Sequence, residues 1–124
     1  MSDNKEYVSR ADELGNIHIS EEVLAAIAAA AALEVDGVSS LAANLGRDIA
    51  ELLGKKNLAK GVRVKTEDDK VEVELSVLMG YGHTIPEIGK AIQEGVKSAI
   101  ESMTGLEVSA VNVNVGGITF PPKE

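Results

Sequence analysis

The side chains in this chain that could do chemistry are few, and their spacing argues against catalysis. There are two histidines and no cysteine. His18 alternates with Ile17 and Ile19, a period of two that turns it outward from a short strand. His83 lies in Tyr81-Gly82-His83-Thr84, where a strand hands over to a helix N-terminus, a place suited to anions. Yet the stretch matches neither GxGxxG nor the phosphate-binding GxxxxGK pattern, and a helix-entry turn accounts for Gly80 and Gly82. Neither histidine has a second one four residues away across a Glu, so a zinc hydrolase lacks its ligands. Ser39, Ser40 and Ser76 have no neighbouring base, and the carboxylate pair Asp68-Asp69 falls in a turn, where it reads as solvated charge. Without cysteine, disulfides, thiolate metal sites and thiol nucleophiles are all excluded. The expectation is a protein with no catalytic residue, no metal and no cofactor.

Charge gives the stronger signal. The net charge of the 124 residues is −8, which opposes non-specific binding to nucleic acid or to an anionic membrane surface. Between Arg47 and Lys65, however, Arg47, Lys55, Lys56, Lys60, Arg63 and Lys65 face only Asp48 and Glu51 in number. That segment is +4 and the remainder −12, which makes it a candidate interaction surface. Glu87, Glu94 and Glu101 follow one side of a helix at spacing seven and are candidate acidic counterparts, from one subunit to another. An alternative is that the segment 47–65 recognises an anionic small molecule or nucleotide as a regulatory module. Nucleic acid is disfavoured further by the absence of an aromatic RNA-binding pair and of a GxxG loop between helices. One Phe, two Tyr and no Trp leave no stacking platform and require an aliphatic core.

The elements that must position these residues centre on positions 71–120. Val71, Val73, Leu75, Val77 and Met79 alternate with Glu72, Glu74, Ser76 and Leu78, as in a strand with one buried face. Thr84 to Glu87 reads as a helix start, with Thr84 as cap, Pro86 in the first turn and Glu87 closing a capping box. Ile88, Ala91, Ile92, Val96, Ala99, Ile100 and Met103 then recur at helical spacing over about five turns. Gly105 ends the helix, and Val108 to Val115 forms a second apolar strand that leaves the sheet at Gly116-Gly117. Ile92, Val96 and Met103 are expected against Val73, Leu75 and Val113.

Upstream, residues 1–13 read as a polar, flexible arm and 16–19 as a short strand. Ser20 caps a helix whose first turn holds Glu21 and Glu22. Its apolar face is expected to be Val23, Leu24, Ile27, Ala31 and Leu33 or Val35. The methyl-lined run Ala28 to Ala32 suits a slim core helix, or a close contact between subunits. Asp36-Gly37 stops it, Val38 to Leu41 is extended, and Gly46 to Leu53 makes a short helix before the basic loop from Lys55 to Gly61. Val62, Val64 and Thr66 form a strand that turns at residues 67–70 into the central one, setting Arg63 and Lys65 opposite Glu72 and Glu74. The implied architecture is α+β: a two-layer sandwich in which a small mixed sheet is covered by two main helices, in β-α-β-β-α-β-like order. One domain over 14–120 follows, with 121–124 as a tail. The polar N-terminus does not read as a signal peptide, and no apolar run reaches membrane-spanning length, so a cytoplasmic protein without direct membrane insertion is expected.

Several stretches together resemble a known family. Gly15 to Val23, Ala31 to Val38, Tyr81-Gly82 with Ile85-Pro86-Glu87-Ile88, Glu101 to Gly105 and Val111 to Ile118 are similar to the alkaline shock proteins, the envelope stress response proteins of Gram-positive bacteria. The resemblance spans roughly residues 7–120. It implies a small cytoplasmic α+β protein without known catalysis, tied to envelope homeostasis and alkaline or bile stress. It also implies self-association as a scaffold or interaction module, and association with the inner face of the membrane through a separate membrane-anchor protein. Longer members carry an extended charged tail, and no such tail is expected here at either end.

Overall fold

The computed structural model describes residues 7–42 and 61–120. The order is β1 (Tyr7–Asp12), β2 (Gly15–Ser20), α1 (Glu21–Leu33), β3 (Val38–Leu41), β4 (Val62–Glu67), β5 (Lys70–Gly80), α2 (Ile85–Thr104) and β6 (Glu107–Thr119). β5 organises the sheet. Its Val71, Val73, Leu75, Val77 and Met79 are fully buried beneath both helices, while the intervening residues look out from the other face and are half-buried. The result, among the described residues, is the expected α+β sandwich, a four-stranded mixed sheet covered by two helices, with β1 and β2 forming a separate two-stranded sheet.

β3 and β4 lie end to end along one edge of β5, both antiparallel. β3 pairs with its last residues (Val38 opposite Met79) and β4 with its first (Glu67 opposite Lys70). β6 runs parallel to the other edge along the whole of β5. A parallel neighbour needs a long crossover, and α2 supplies it. Its Ile92, Val96 and Ile100 meet β5 and Val108 and Val111 of β6 in one aliphatic core. α1 adds Leu24, Ala28 and Ala32 to the same layer. Small residues there let α1 lie close against α2 and the sheet, so the alanine run serves a slim core helix.

Several local expectations are corrected. Residues 7–12, placed in an arm by the sequence, form β1, paired antiparallel with β2. On α1, Val23 and Leu33 are 48% exposed, and Ala28, Ala29 and Ala32 are buried instead. That helix is apolar nearly all round, so spacing alone had little contrast with which to choose a face. Ser20 caps it as expected, its Oγ accepting from the Val23 N–H at 3.2 Å. At α2, Thr84 is the N-cap, but its side chain makes no capping bond. The Glu87 N–H donates to the Thr84 backbone carbonyl at 3.1 Å, so the capping box does not form. Met103 is 70% exposed rather than packed on Leu75. Thr104 takes the buried position, with its hydroxyl donating to Ile100 O at 2.6 Å and accepting from Leu106 N at 3.1 Å. Gly105 ends α2 with φ 77°, as expected.

β6 also runs past the glycine pair at which the sequence placed its exit. Val115 lies opposite Val77 and Gly117 opposite Leu78, so Gly116 is absorbed in a bulge and the ladder continues to Thr119. A β-carbon on Gly117 would lie 3.0 Å from Leu78 Cδ2, so a side chain there would require the Leu78 methyl to shift by a few tenths of an ångström. The short helix expected over 46–53, the basic loop 55–60 and the tail 121–124 lie outside the described residues.

Candidate interaction surfaces

Three surfaces surround β5 and β6. The first is the outer sheet face. Arg63 stands opposite Glu74 and Lys65 opposite Glu72, the pairing expected from the sequence, and both cations are exposed. The carboxylates also accept from the far side: Asn112 Nδ2 donates to Glu72 at 3.1 Å and Asn114 Nδ2 to Glu74 at 3.0 Å. Each row therefore runs cation, carboxylate, amide across three strands. Arg47, Lys55, Lys56 and Lys60 lie outside the described residues, so the structure brings together only two members of the basic set.

The second surface is the end of the sheet where β5 and β6, being parallel, finish side by side. Tyr81 donates its N–H to Thr119 O at 2.8 Å, and its ring stacks on Phe120 with centroids 5.0 Å apart. Both rings are about two-thirds exposed, at 65% and 68%. Ser39 Oγ bonds Thr119 Oγ1 at 2.6 Å beside them. His83 is exposed nearby, and Gly37 passes so close that a β-carbon there would lie 3.2 Å from its ring and 2.7 Å from Ile88 Cδ1. With φ 101° as well, Gly37 is held to glycine twice over. This aromatic pair is absent from the sequence-based expectations. Tyr81 and Phe120 are 39 positions apart, and only the parallel register of β5 and β6 brings them together.

The third surface is the flank of α2 beside β6. Gln93 Nε2 donates to Val111 O at 3.0 Å and Lys97 Nζ to Val108 O at 3.3 Å. Glu101 accepts from Val108 N at 3.0 Å and from Lys97 Nζ at 2.8 Å. The Lys97 ammonium, and after it the Val108 N–H, hold the Glu101 carboxyl below the usual carboxylate range, with burial opposing them. Of the three glutamates expected on one stripe, Glu87 and Glu94 are exposed, while Glu101 is engaged within its own subunit. His18 is exposed on β2, its Nδ1 2.7 Å from Ser9 Oγ. Among the described residues no cluster of three His, Cys, Asp or Glu is arranged to hold a metal, and no helix is long and apolar enough to cross a membrane.

These features define a helix-on-sheet α+β protein. The chain belongs to the alkaline shock protein 23 family, whose description is a cell envelope-related function and whose model matches residues 9–120. It is 34% identical over 110 residues to YqhY of Bacillus subtilis, covering 89% of this chain and 82% of that one. A Streptococcus pyogenes relative is 40% identical over 106 residues, covering 84% of this chain and 88% of its own. Among solved structures, variants of the MamM CTD align over 78% of this chain and 94% of theirs, with 13% identity and a TM-score of 0.49.

Proposed function

We propose that this chain is a non-enzymatic interaction module of the envelope stress response, which self-associates and acts near the inner face of the membrane through an anchor partner. The observation that carries this reading is the sheet itself. One face is sealed by both helices, while the other presents ordered rows of Arg63, Glu74 and Asn114, and of Lys65, Glu72 and Asn112. Such a face suits recognition of another surface, and the family's envelope-related description supplies the setting. The basic segment 47–65 of one subunit would meet Glu87 and Glu94 of another, joining two different patches and so building a ring or open chain. Arg63 and Lys65 each stand opposite a carboxylate of their own sheet, which leaves Arg47, Lys55, Lys56 and Lys60 as the cations for either contact.

Sedimentation across a salt series tests the reading. Exposed charge contacts are individually weak and are screened within about 8 Å at physiological ionic strength. Assemblies built on them should shrink as salt rises and disappear in Lys55→Glu with Lys56→Glu, with little change in Tm. A chain that stays monomeric at every salt and protein concentration would overturn self-association.

A further inference from the structure

We infer that the outward edge of β6 is a seam for a second copy of this chain, joined antiparallel about a two-fold axis at Val113. The inference rests on the self-association reading above and names where the closed contact forms. Among the described residues β6 pairs with β5 alone, so its other edge has no strand beside it. Backbone groups alternate in direction along a strand. Thr119 O is turned to β5, where Tyr81 N meets it, whereas Val111 O is turned to Gln93 on the open side. The bulge at Gly116 lies between the two and reverses the parity. On the near side of that bulge, the period of two sends the N–H and C=O of Val113 and Val115 outward as well.

Exposed edges are ordinarily blocked by charges, prolines or bulges. On β6 those devices sit only at the two ends. At the start, Lys97 and Glu101 occupy Val108, Gln93 occupies the Val111 carbonyl, and the register shifts between Val108 and Ala110. Toward the end the bulge at Gly116 breaks the line. No register shift occurs between Ala110 and Val115, and no charged residue occurs from Val108 to Thr119 in a chain of net charge −8. Two copies that repel elsewhere can approach along this strip.

The sequence of the strip chooses the occupant. Val111-Asn112-Val113-Asn114-Val115 reads the same in both directions. Antiparallel pairing with Val113 opposite its own copy puts Val111 opposite Val115 and Asn112 opposite Asn114. Apolar then meets apolar on the helix side, and amide meets amide on the outer face. Val113 and Val115 are only half-buried in one subunit, and the second copy would cover them. An isologous contact of this kind closes on itself. It uses no charge, so it should persist in high salt.

Two variants test the seam. Val113→Pro removes an outward N–H that β5 does not use, at an edge position where proline is tolerated. It should halve the sedimenting mass at high salt, from dimer to monomer. The chain has no cysteine, so Asn112→Cys and Asn114→Cys can be made separately and mixed under oxidation. Opposed side chains across a non-hydrogen-bonded antiparallel pair lie about 4.5–5.5 Å apart at Cβ. The mixture should cross-link more than either variant alone, and this decides the matter even if the proline variant fails to fold. A dimer in high salt that survives Val113→Pro, with no preferential cross-link in the mixture, would overturn the seam and leave self-association standing through another surface. A monomer throughout would overturn both.

Discussion

β5 and β6 are neighbours, run the same way and carry the same valine-rich alternation, yet they handle charge in opposite ways. β5 is enclosed by strands on both edges and still carries Lys70, Glu72 and Glu74. β6 has, among the described residues, a partner on one edge only, and it is uncharged from Val108 to Thr119. Solubility and protection of edges would favour the reverse. On β5, Glu72 and Glu74 stand opposite Lys65 and Arg63 and accept from the two asparagines, and Lys70 stands opposite Glu67, so these charges favour one register within the sheet. The absence of charge on β6 leaves an edge that a like-charged copy can approach. Burial separates the two strands as well: the inward side chains of β5 are fully buried, and those of β6 become half-exposed from Val113 onward.

The largest test of this contrast is a pair of core truncations. Leu75→Ala on β5 should cost about 2–5 kcal/mol in urea unfolding, because a fully enclosed side chain leaves a cavity. Val113→Ala, at the adjoining position on β6, should cost only about 1 kcal/mol in dilute solution. With a seam at β6, the second cost should rise with protein concentration, since whatever binds only the folded form stabilises it. Equal costs for the two truncations at low concentration would mean that β6 is enclosed within the monomer.

Much of this contrast is legible in the amino-acid sequence. The period of two over residues 71–79 marks the buried face of β5, because every inward residue is apolar and most outward ones are Glu or Ser. The helical period over 88–100 locates α2, and Arg63 and Lys65 fall opposite Glu74 and Glu72 because a tight turn at Asp68-Asp69 fixes that register. Other features leave no periodic trace. The face of α1 is obscure because alanine fills several of its sides. β1 reads as polar and becomes a strand only through its ladder with β2. The bulge at Gly116 resembles a strand end, because a glycine pair signals either one. The aromatic pair and the Gln93 contact with Val111 depend on a parallel register that local sequence does not encode.

A smaller effect is expected where α2 shields the start of β6. Gln93→Ala leaves the Val111 carbonyl without its side-chain donor, and a hydrogen bond of this kind contributes roughly 0.5–1.5 kcal/mol. The sharper readout is association. Lengthening the unblocked edge by one carbonyl should strengthen dimerisation even as the monomer becomes slightly less stable. A variant less stable and also less associated would show that Gln93 supports the seam rather than limiting it. Asn114→Ala should do less to the monomer, within about 0.5 kcal/mol, because its bond to Glu74 is exposed.

The smallest effect concerns Glu101, and its pH dependence carries the information. In the folded chain its carboxylate accepts from Lys97 Nζ and from the Val108 N–H at the start of β6. Those two donors, Lys97 first, lower its pKa relative to the unfolded chain. The folded state therefore favours the ionised form. The stabilisation is fully present above the unfolded pKa and is lost as pH falls through the lower, folded one. Glu101→Gln keeps an oxygen for Val108 but loses the charge that Lys97 meets. The variant should unfold slightly more easily than the original at neutral pH, and the gap in urea midpoint should close in acid, where both are neutral. Added salt should narrow the same gap, since the pair is partly exposed. A gap that stays constant from neutral to acid pH would mean that the Glu101 charge contributes nothing there, and that the start of β6 is held by the hydrogen bond to Val108 alone.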